Sequence, residues 1–269
     1  MKKSGNQRFF RWTRLVVGTR SMSTATRRAF DAIGALGRDD DDAHAVVGGT
    51  ARAAVLVALV ARDDDDGDGD DGDGDGDGDW DVILCVRAAG MRAHAGEVAL
   101  PGGKRDAGSN ERDVETAMRE AEEEIGLPAG AVALRGALPA VLSRGLVSVR
   151  PIVGVVRRGR FDVWKDAVLS EEEVAEVFTA PLEMFLEARG HRFDDWAWPG
   201  ATRAIRVHYF RHRGKTIWGL TATILIEVAR RVFGREPEFQ LGTDDGVTAW
   251  DVAERDGKTV VGVAARSLL

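Results

Sequence analysis

The sequence predicts an α+β fold, an α-β-α sandwich in which helices flank a mixed β-sheet, and three observations carry this. Short Val-rich apolar runs bounded by turn signals recur along the chain, as buried strands do. Two segments, one around residue 120 and one around residue 225, instead repeat their apolar residues at helical spacing. Strands and helices do not alternate strictly, which sets aside an all-parallel βαβ array. A chain of 269 residues can bury one full core and still carry tails.

The first thirty residues hold many Lys and Arg, several Ser and Thr, and no acid before Asp31. That composition reads as an organelle transit peptide over 1–22, mitochondrial or plastid. A basic arm, or an upstream start with Met22 as the true beginning of a cytoplasmic protein, is the alternative. Phe30, Ile33 and Leu36 then predict a helix over 25–36.

Ala54–Ala61 and Trp80–Val86 are apolar and predict two strands. Between them, residues 63–79 comprise eleven Asp and six Gly, so the net charge of −7 belongs to this tract and the rest of the chain is +4. The tract reads as a disordered insertion at a hairpin tip, because nothing in it can offset the entropy of ordering. Its D-x-D-x-D-G runs resemble the opening of a calcium loop, but no closing Glu follows at the right distance.

Further strands are predicted over Ala131–Leu138 and Val147–Val156, around Pro139 and a Ser143-Arg144-Gly145 turn. Ser170 with Glu171–Glu173 reads as a helix start or turn, Val174–Thr179 as a strand, and Pro181 as the opening of a short helix, Leu182–Leu186. Ala204–Arg211 and Thr216–Trp218 form a hairpin across His212-Arg213-Gly214-Lys215. Leu220–Phe233 is an amphipathic helix with Gly234 at its C-cap. The domain thus spans 25–238. Lys258–Val263 is a strand candidate within a C-terminal extension, 239–269, that has no functional reading.

The single cysteine, Cys85, excludes an internal disulfide framework and a Cys-rich zinc site, and suits a buried strand position. No apolar stretch approaches the roughly 20 residues that span a bilayer. A soluble protein is expected, with neither membrane nor nucleic acid as partner; a small-molecule partner is what the resemblance described below implies.

The chemistry lies in Arg119-Glu120-Ala121-Glu122-Glu123-Glu124-Ile125-Gly126-Leu127. Glu120, Glu123 and Glu124 stand at i, i+3 and i+4 and share a helix face, while Val114, Ala117, Met118, Ala121 and Ile125 pack inward. Carboxylates so crowded repel one another unless a cation sits among them, and hard oxygen donors favour Mg²⁺ or Mn²⁺. Glu120 and Glu124 are the best ligands, with Glu123 joining directly or through water. Arg119 holds the carboxylates in orientation, Glu115 pairs with Arg119 by the same spacing, and Glu120 or Glu123 serves as general base.

These residues resemble the Nudix box, G-x5-E-x7-R-E-U-x-E-E-x-G-U, where U is aliphatic. Seven residues instead of five separate Gly103 from Glu111, so the helix half of the box is intact and the part taken by Glu111 is open. The preceding run, Arg87 to Gly103, is similar to the signature of the coenzyme A pyrophosphatase branch, R-[SA]-x3-R-x3-G-x3-F-P-G-G. Arg87, Ala88, Arg92, Gly96, Pro101, Gly102 and Gly103 fall in register, and Leu100 replaces Phe. Residues 216–222 and 233–237 also look like plant and algal members of that branch.

The resemblance implies the Nudix fold and a metal-dependent hydrolase that cleaves coenzyme A or its acyl derivatives to 3′,5′-ADP and 4′-phosphopantetheine. Arg87 and Arg92 become candidates for substrate phosphates, because guanidinium forks bind phosphate bidentately. Pairing with surface carboxylates is their plainer role. Gly102 and Gly103 let the backbone approach metal or phosphate. His94 invites a role as base, but a lone loop histidine is more simply structural. Hydrolysis of ADP-ribose or another nucleoside diphosphate derivative is one alternative function. A catalytically silent, calcium-binding acidic module is another.

Overall fold

The computed structural model describes residues 51–62, 80–143, 147–196 and 204–244, so the expected helix over 25–36, the tract 63–79 and the strand candidate 258–263 lie outside the described residues. The fold is the mixed sheet flanked by helices that the sequence predicts. Its large sheet runs β3 (Val98–Ala99), β2 (Trp80–Arg87), β1 (Arg52–Ala61), β7 (Ser148–Val156), β5 (Val132–Ala137). Three further strands attach to it: β4 (Gly102–Lys104) to β1, β6 (Val141–Leu142) to β7, and β8 (Val174–Pro181) to β2. β1 and β7 pair in parallel and their neighbours antiparallel, which makes the sheet mixed.

Both faces of this sheet are covered, and that is why β1 reads as a nearly unbroken apolar run. Ala54, Leu56 and Ala58 face helix α1 (Asp113–Ile125), with Ala117, Met118, Ala121 and Ile125 beneath them. Val57 and Leu59 face the other layer, where helix α2 (Gly219–Phe233) supplies Ile224, Leu225 and Val228. Leu56, Leu59, Ile83 and Ile125 are wholly buried; truncating such a residue to Ala costs about 2–5 kcal/mol. Gly126 (φ 71°) and Gly234 (φ 62°) adopt the left-handed conformation that closes each helix. None of the described helices is long and apolar enough to cross a membrane.

β1 and β2 pair from Leu59↔Val82 to Ala61↔Trp80, and Arg62 closes this ladder on Asp81 at 2.7 Å. Residues 170–173 form a turn and no helix: Glu173 and Val174 both donate backbone N–H groups to the Ser170 carbonyl.

A second, antiparallel sheet was not foreseen in full: β9 (His191–Trp196) joins the expected hairpin of β10 (Ile205–His212) and β11 (Lys215–Trp218). Residues 238–241, at the start of the expected extension, are bonded onto it. Glu238 N–H donates to the Leu186 carbonyl at 2.8 Å, Phe239 stacks on His191 with centroids 3.7 Å apart, and Arg206 clamps Asp195 through two 2.7 Å bonds. His208 Nε2 donates to the Leu241 carbonyl at 3.0 Å, so its Nδ1 is left to accept from His191 Nε2 at 2.9 Å. A ring that donates from one nitrogen and accepts at the other is neutral, so this chain holds His208 neutral.

Burial, with His208 and Arg206 adding repulsion, depresses His191 from the ordinary 6.5 to about 4, and burial depresses His208 in the same direction. Below pH 6.5 the unfolded chain therefore takes up protons that the folded chain refuses, and stability falls as pH drops from 6.5 towards 4. Melting curves between pH 7.5 and 5 should show Tm falling on acidification, and His191→Phe should flatten that slope. An unchanged slope in the variant would show that the histidine pair does not set it.

Candidate active site

The site is built where α1 passes under the end of β2 and the β4 backbone. One oxygen from each of Glu120, Glu124 and Glu173 lies within 4.8 Å of the others. Glu120 and Glu124 project from one face of α1, one turn apart, as the i, i+4 spacing requires. Glu173 comes from the turn before β8. Its carbonyl accepts from Ala88 N–H at 2.8 Å, and the β2–β8 ladder shifts register between Val86 and Arg87. That bulge sets Arg87 and Glu173 beside the helix.

The glycine pair fits around these carboxylates. Gly102 N–H donates to Glu124 Oε2 at 3.0 Å. A Cβ on Gly102, whose φ is 149°, would collide with the carbonyl of Ala54 and the Cα of Val55, whereas one on Gly103 would fall within the Glu120 carboxylate. Close approach of backbone to side chain is thus what the two glycines permit.

Arg119 ties the acidic groups together. Its Nε and Nη2 donate to Glu111 at 2.9 and 3.2 Å, and its Nη1 donates to both Glu120 and Glu123 at 3.0 Å. Glu111 also accepts from Thr116 Oγ1 at 3.0 Å. Despite the longer loop before it, Glu111 therefore reaches the network. Glu115 does not pair with Arg119, contrary to the spacing argument. It turns back to the start of α1 and accepts from the backbone N–H and guanidinium of Arg112, both at 2.9 Å, because a carboxylate there answers the unpaired N–H groups of the first turn.

Glu123 stands outside the group of three, with its side chain 60 % exposed on Arg119. Arg87 approaches Glu124, Nη1 to Oε1 at 4.0 Å, and its Nε is buried without a hydrogen-bond partner. Arg92 is exposed and makes no hydrogen bond or ion pair among the described residues. His94 pairs with Glu97 at 2.9 Å, in the open. Glu173 escaped the sequence reading, which saw only a turn signal in Ser170–Glu173; nothing local marks which of three consecutive glutamates faces a helix fifty residues earlier.

The electrostatics describe a site short of positive charge. Burial pushes the Glu124 carboxyl up to about 7, and the neighbouring Glu120 and Glu173 push the same way against Gly102 N–H and Arg87. Burial also raises Glu120, against Arg119. Three converging carboxylates with unmet negative charge fit a hard divalent cation such as Mg²⁺ or Mn²⁺. Cys85 lies under the site, 2 % exposed, and burial holds its thiol protonated.

Residues 72–214, over half the chain, match the NUDIX domain family model. The chain is 40 % identical over 193 residues to Nudix hydrolase 15, mitochondrial, of Arabidopsis thaliana, covering 70 % of this chain and 61 % of that protein. It is 38 % identical to Nudix hydrolase 22, chloroplastic, of the same plant, covering 70 % and 57 %. Against the Nudix hydrolase NudL of Photorhabdus laumondii the identity is 36 % over 151 residues, 56 % of this chain and 76 % of that one. The chain therefore spans about three fifths of the length of the two plant relatives.

The steric fit of Gly103 is directly testable. Gly103→Ala should displace the Glu120 carboxylate and weaken Mn²⁺ binding by about tenfold or more, the size of effect typical when a group supporting a metal ligand is lost. Calorimetric titration with Mn²⁺ reads this, and wild-type affinity in a folded variant would refute it.

Proposed function

The chain belongs to the Nudix family, and from that premise we propose that it is a divalent-metal-dependent hydrolase of the diphosphate in coenzyme A or its acyl derivatives. The observation that carries the reading is the buried, unpartnered Nε of Arg87 beside the Glu120, Glu124 and Glu173 cluster. A buried donor without an acceptor costs free energy until something supplies one, and a phosphate oxygen is a strong acceptor. The Arg87 to Gly103 run, in register with the coenzyme A branch signature, supports the choice of substrate.

In this reading Glu120, Glu124 and Glu173 hold the metal. A divalent cation bound among them would neutralise charge on the phosphate oxygens and acidify a bound water. Arg87 binds the diphosphate, and Arg92, exposed and unpaired among the described residues, meets a further phosphate of the substrate. Gly102 fixes Glu124, Gly103 admits Glu120, and Arg119 orients Glu120 and Glu123 through one shared Nη1. Water adds to one phosphorus, the bridging oxygen leaves on the other, and a carboxylate takes the proton released. Glu120 and Glu123 are the candidates for that base, and Glu123 stands outside the three converging carboxylates. The products are 3′,5′-ADP and (acyl-)4′-phosphopantetheine.

Import into an organelle is proposed with it, supported by the basic, acid-poor residues 1–22 and by the mitochondrial and chloroplastic relatives. Fusion of residues 1–50 to a fluorescent protein tests this, and a diffuse cytosolic signal would count against it.

Glu120→Gln, Glu124→Gln and Glu173→Gln should each lower kcat by about a hundredfold or more with the circular dichroism spectrum unchanged, as expected when a group that stabilises transition-state charge is removed. Full activity in a folded Glu173→Gln protein would remove that residue from the site. Coenzyme A, an acyl-coenzyme A, ADP-ribose, NADH and a dinucleotide polyphosphate, each offered with Mg²⁺ and with Mn²⁺ and resolved by chromatography, decide the substrate. Preference for ADP-ribose would overturn the coenzyme A reading.

A further inference from the structure

The turn that joins β2 to β3 sets a further carboxylate beside the candidate site. Gly96 (φ 73°) donates its N–H to the Arg87 carbonyl at 3.0 Å, and Arg87 N–H donates to the Glu97 carbonyl at 3.0 Å. Gly96 and Glu97 thus oppose Arg87 together, in a bulge whose glycine takes the left-handed conformation. Val98, next along β3, enters the core under α2, so Glu97 and Ala99 lie on the other face, the one that carries Cys85. Arg87 shares that face, since its guanidinium approaches Glu124 on α1. Glu97 is therefore the cross-strand neighbour of Arg87 on the side of the sheet that holds the acidic cluster.

Arg87 stands between two unlike carboxylates, because β3 and β8 pair with opposite edges of β2. On the β8 side is Glu173, whose carbonyl accepts from Ala88 N–H and whose side chain joins Glu120 and Glu124. On the β3 side is Glu97, which is not one of that group of three. Its side chain is 35 % exposed and accepts from His94 Nδ1 at 2.9 Å, and no Arg or Lys pairs with it among the described residues. A dication among the three would offset the charge of Glu173, whereas Glu97 keeps its charge towards an anion bound at Arg87.

We propose that Glu97, oriented by His94, is a specificity residue that turns away nucleotides ending in a free phosphate and admits diphosphates esterified at both ends. The assignment rests on the diphosphate reading above and adds what the site refuses. A phosphate chain held by Arg87 and a dication runs on past Arg87 to Glu97. An ester adds no charge there, and hydroxyls of the group it carries can donate to the carboxylate, whereas a terminal phosphate adds negative charge against it. A carboxylate beside an anion-binding guanidinium weakens every anion somewhat, but most of all the competitor that places charge against it, which is how a repulsive contact yields specificity. One such repulsion at a partly exposed site corresponds to about five- to tenfold in affinity.

The non-hydrolysable α,β-methylene analogues of ADP and ADP-ribose differ only in whether the terminal phosphate is esterified, so calorimetric titration of the full-length chain with each in Mg²⁺ isolates this charge. Glu97→Gln should tighten the ADP analogue about fivefold or more and change the ADP-ribose analogue by less than about twofold, and Glu97→Asp should keep the wild-type preference. Unchanged binding of the ADP analogue in Glu97→Gln, or equal tightening of both ligands, overturns the assignment. Selective tightening in a chain that cleaves ADP-ribose but not coenzyme A would instead overturn the coenzyme A reading and leave the role of Glu97 standing.

Discussion

Mutual repulsion among Glu120, Glu124 and Glu173 is the constraint around which the α1 half of the molecule is organised. At a separation of a few ångströms in a half-buried site such charges cost several kcal/mol unless they are compensated. The chain answers with fixed donors, which act against the burial that raises this cost. Gly102 N–H reaches Glu124, Arg119 reaches Glu120, and Arg87 approaches from β2. These donors leave a deficit that a dication would meet: burial first, then Glu120 and Glu173, push the Glu124 carboxyl up to about 7. Scaffold and site are coupled through it, because β4 can bring its glycines to α1 only while paired with β1.

The readable parts of the sequence were those whose signal is local. β1, β2 and β7 show as apolar runs because helices cover both faces of their sheet, and α1 and α2 show as helical periodicity closed by Gly126 and Gly234. The Glu120 and Glu124 pairing followed from helix geometry. β9 went unseen because His191–Trp196 is polar and largely exposed, held by pairing with β10 and not by an apolar pattern of its own. Glu173 went unseen for a different reason: its position depends on a register shift between two strands far apart in sequence. Arg119 illustrates the limit of spacing arguments, since Glu111 from outside the helix outcompetes Glu115 within it.

The two faces of the large sheet divide the labour. The α1 face carries the charged chemistry over a compact layer of Ala and Ile, whereas the α2 face carries the larger aromatic core through Phe178, Phe185 and Phe210. The histidine relay from His191 through His208 to Leu241 binds residues beyond α2 back onto that second core. A chain segment without recognisable pattern thereby becomes part of the folded unit.

The closed foot of the β1–β2 hairpin has a consequence for how such a chain changes over generations. Because Arg62 grips Asp81 where the ladder ends, whatever joins these two residues is isolated from strand register. Closure entropy grows only slowly with the length of chain between two fixed ends, by about 0.6 kcal/mol per doubling. A paired foot of this kind lets the two strands keep their register whatever the length of sequence between them.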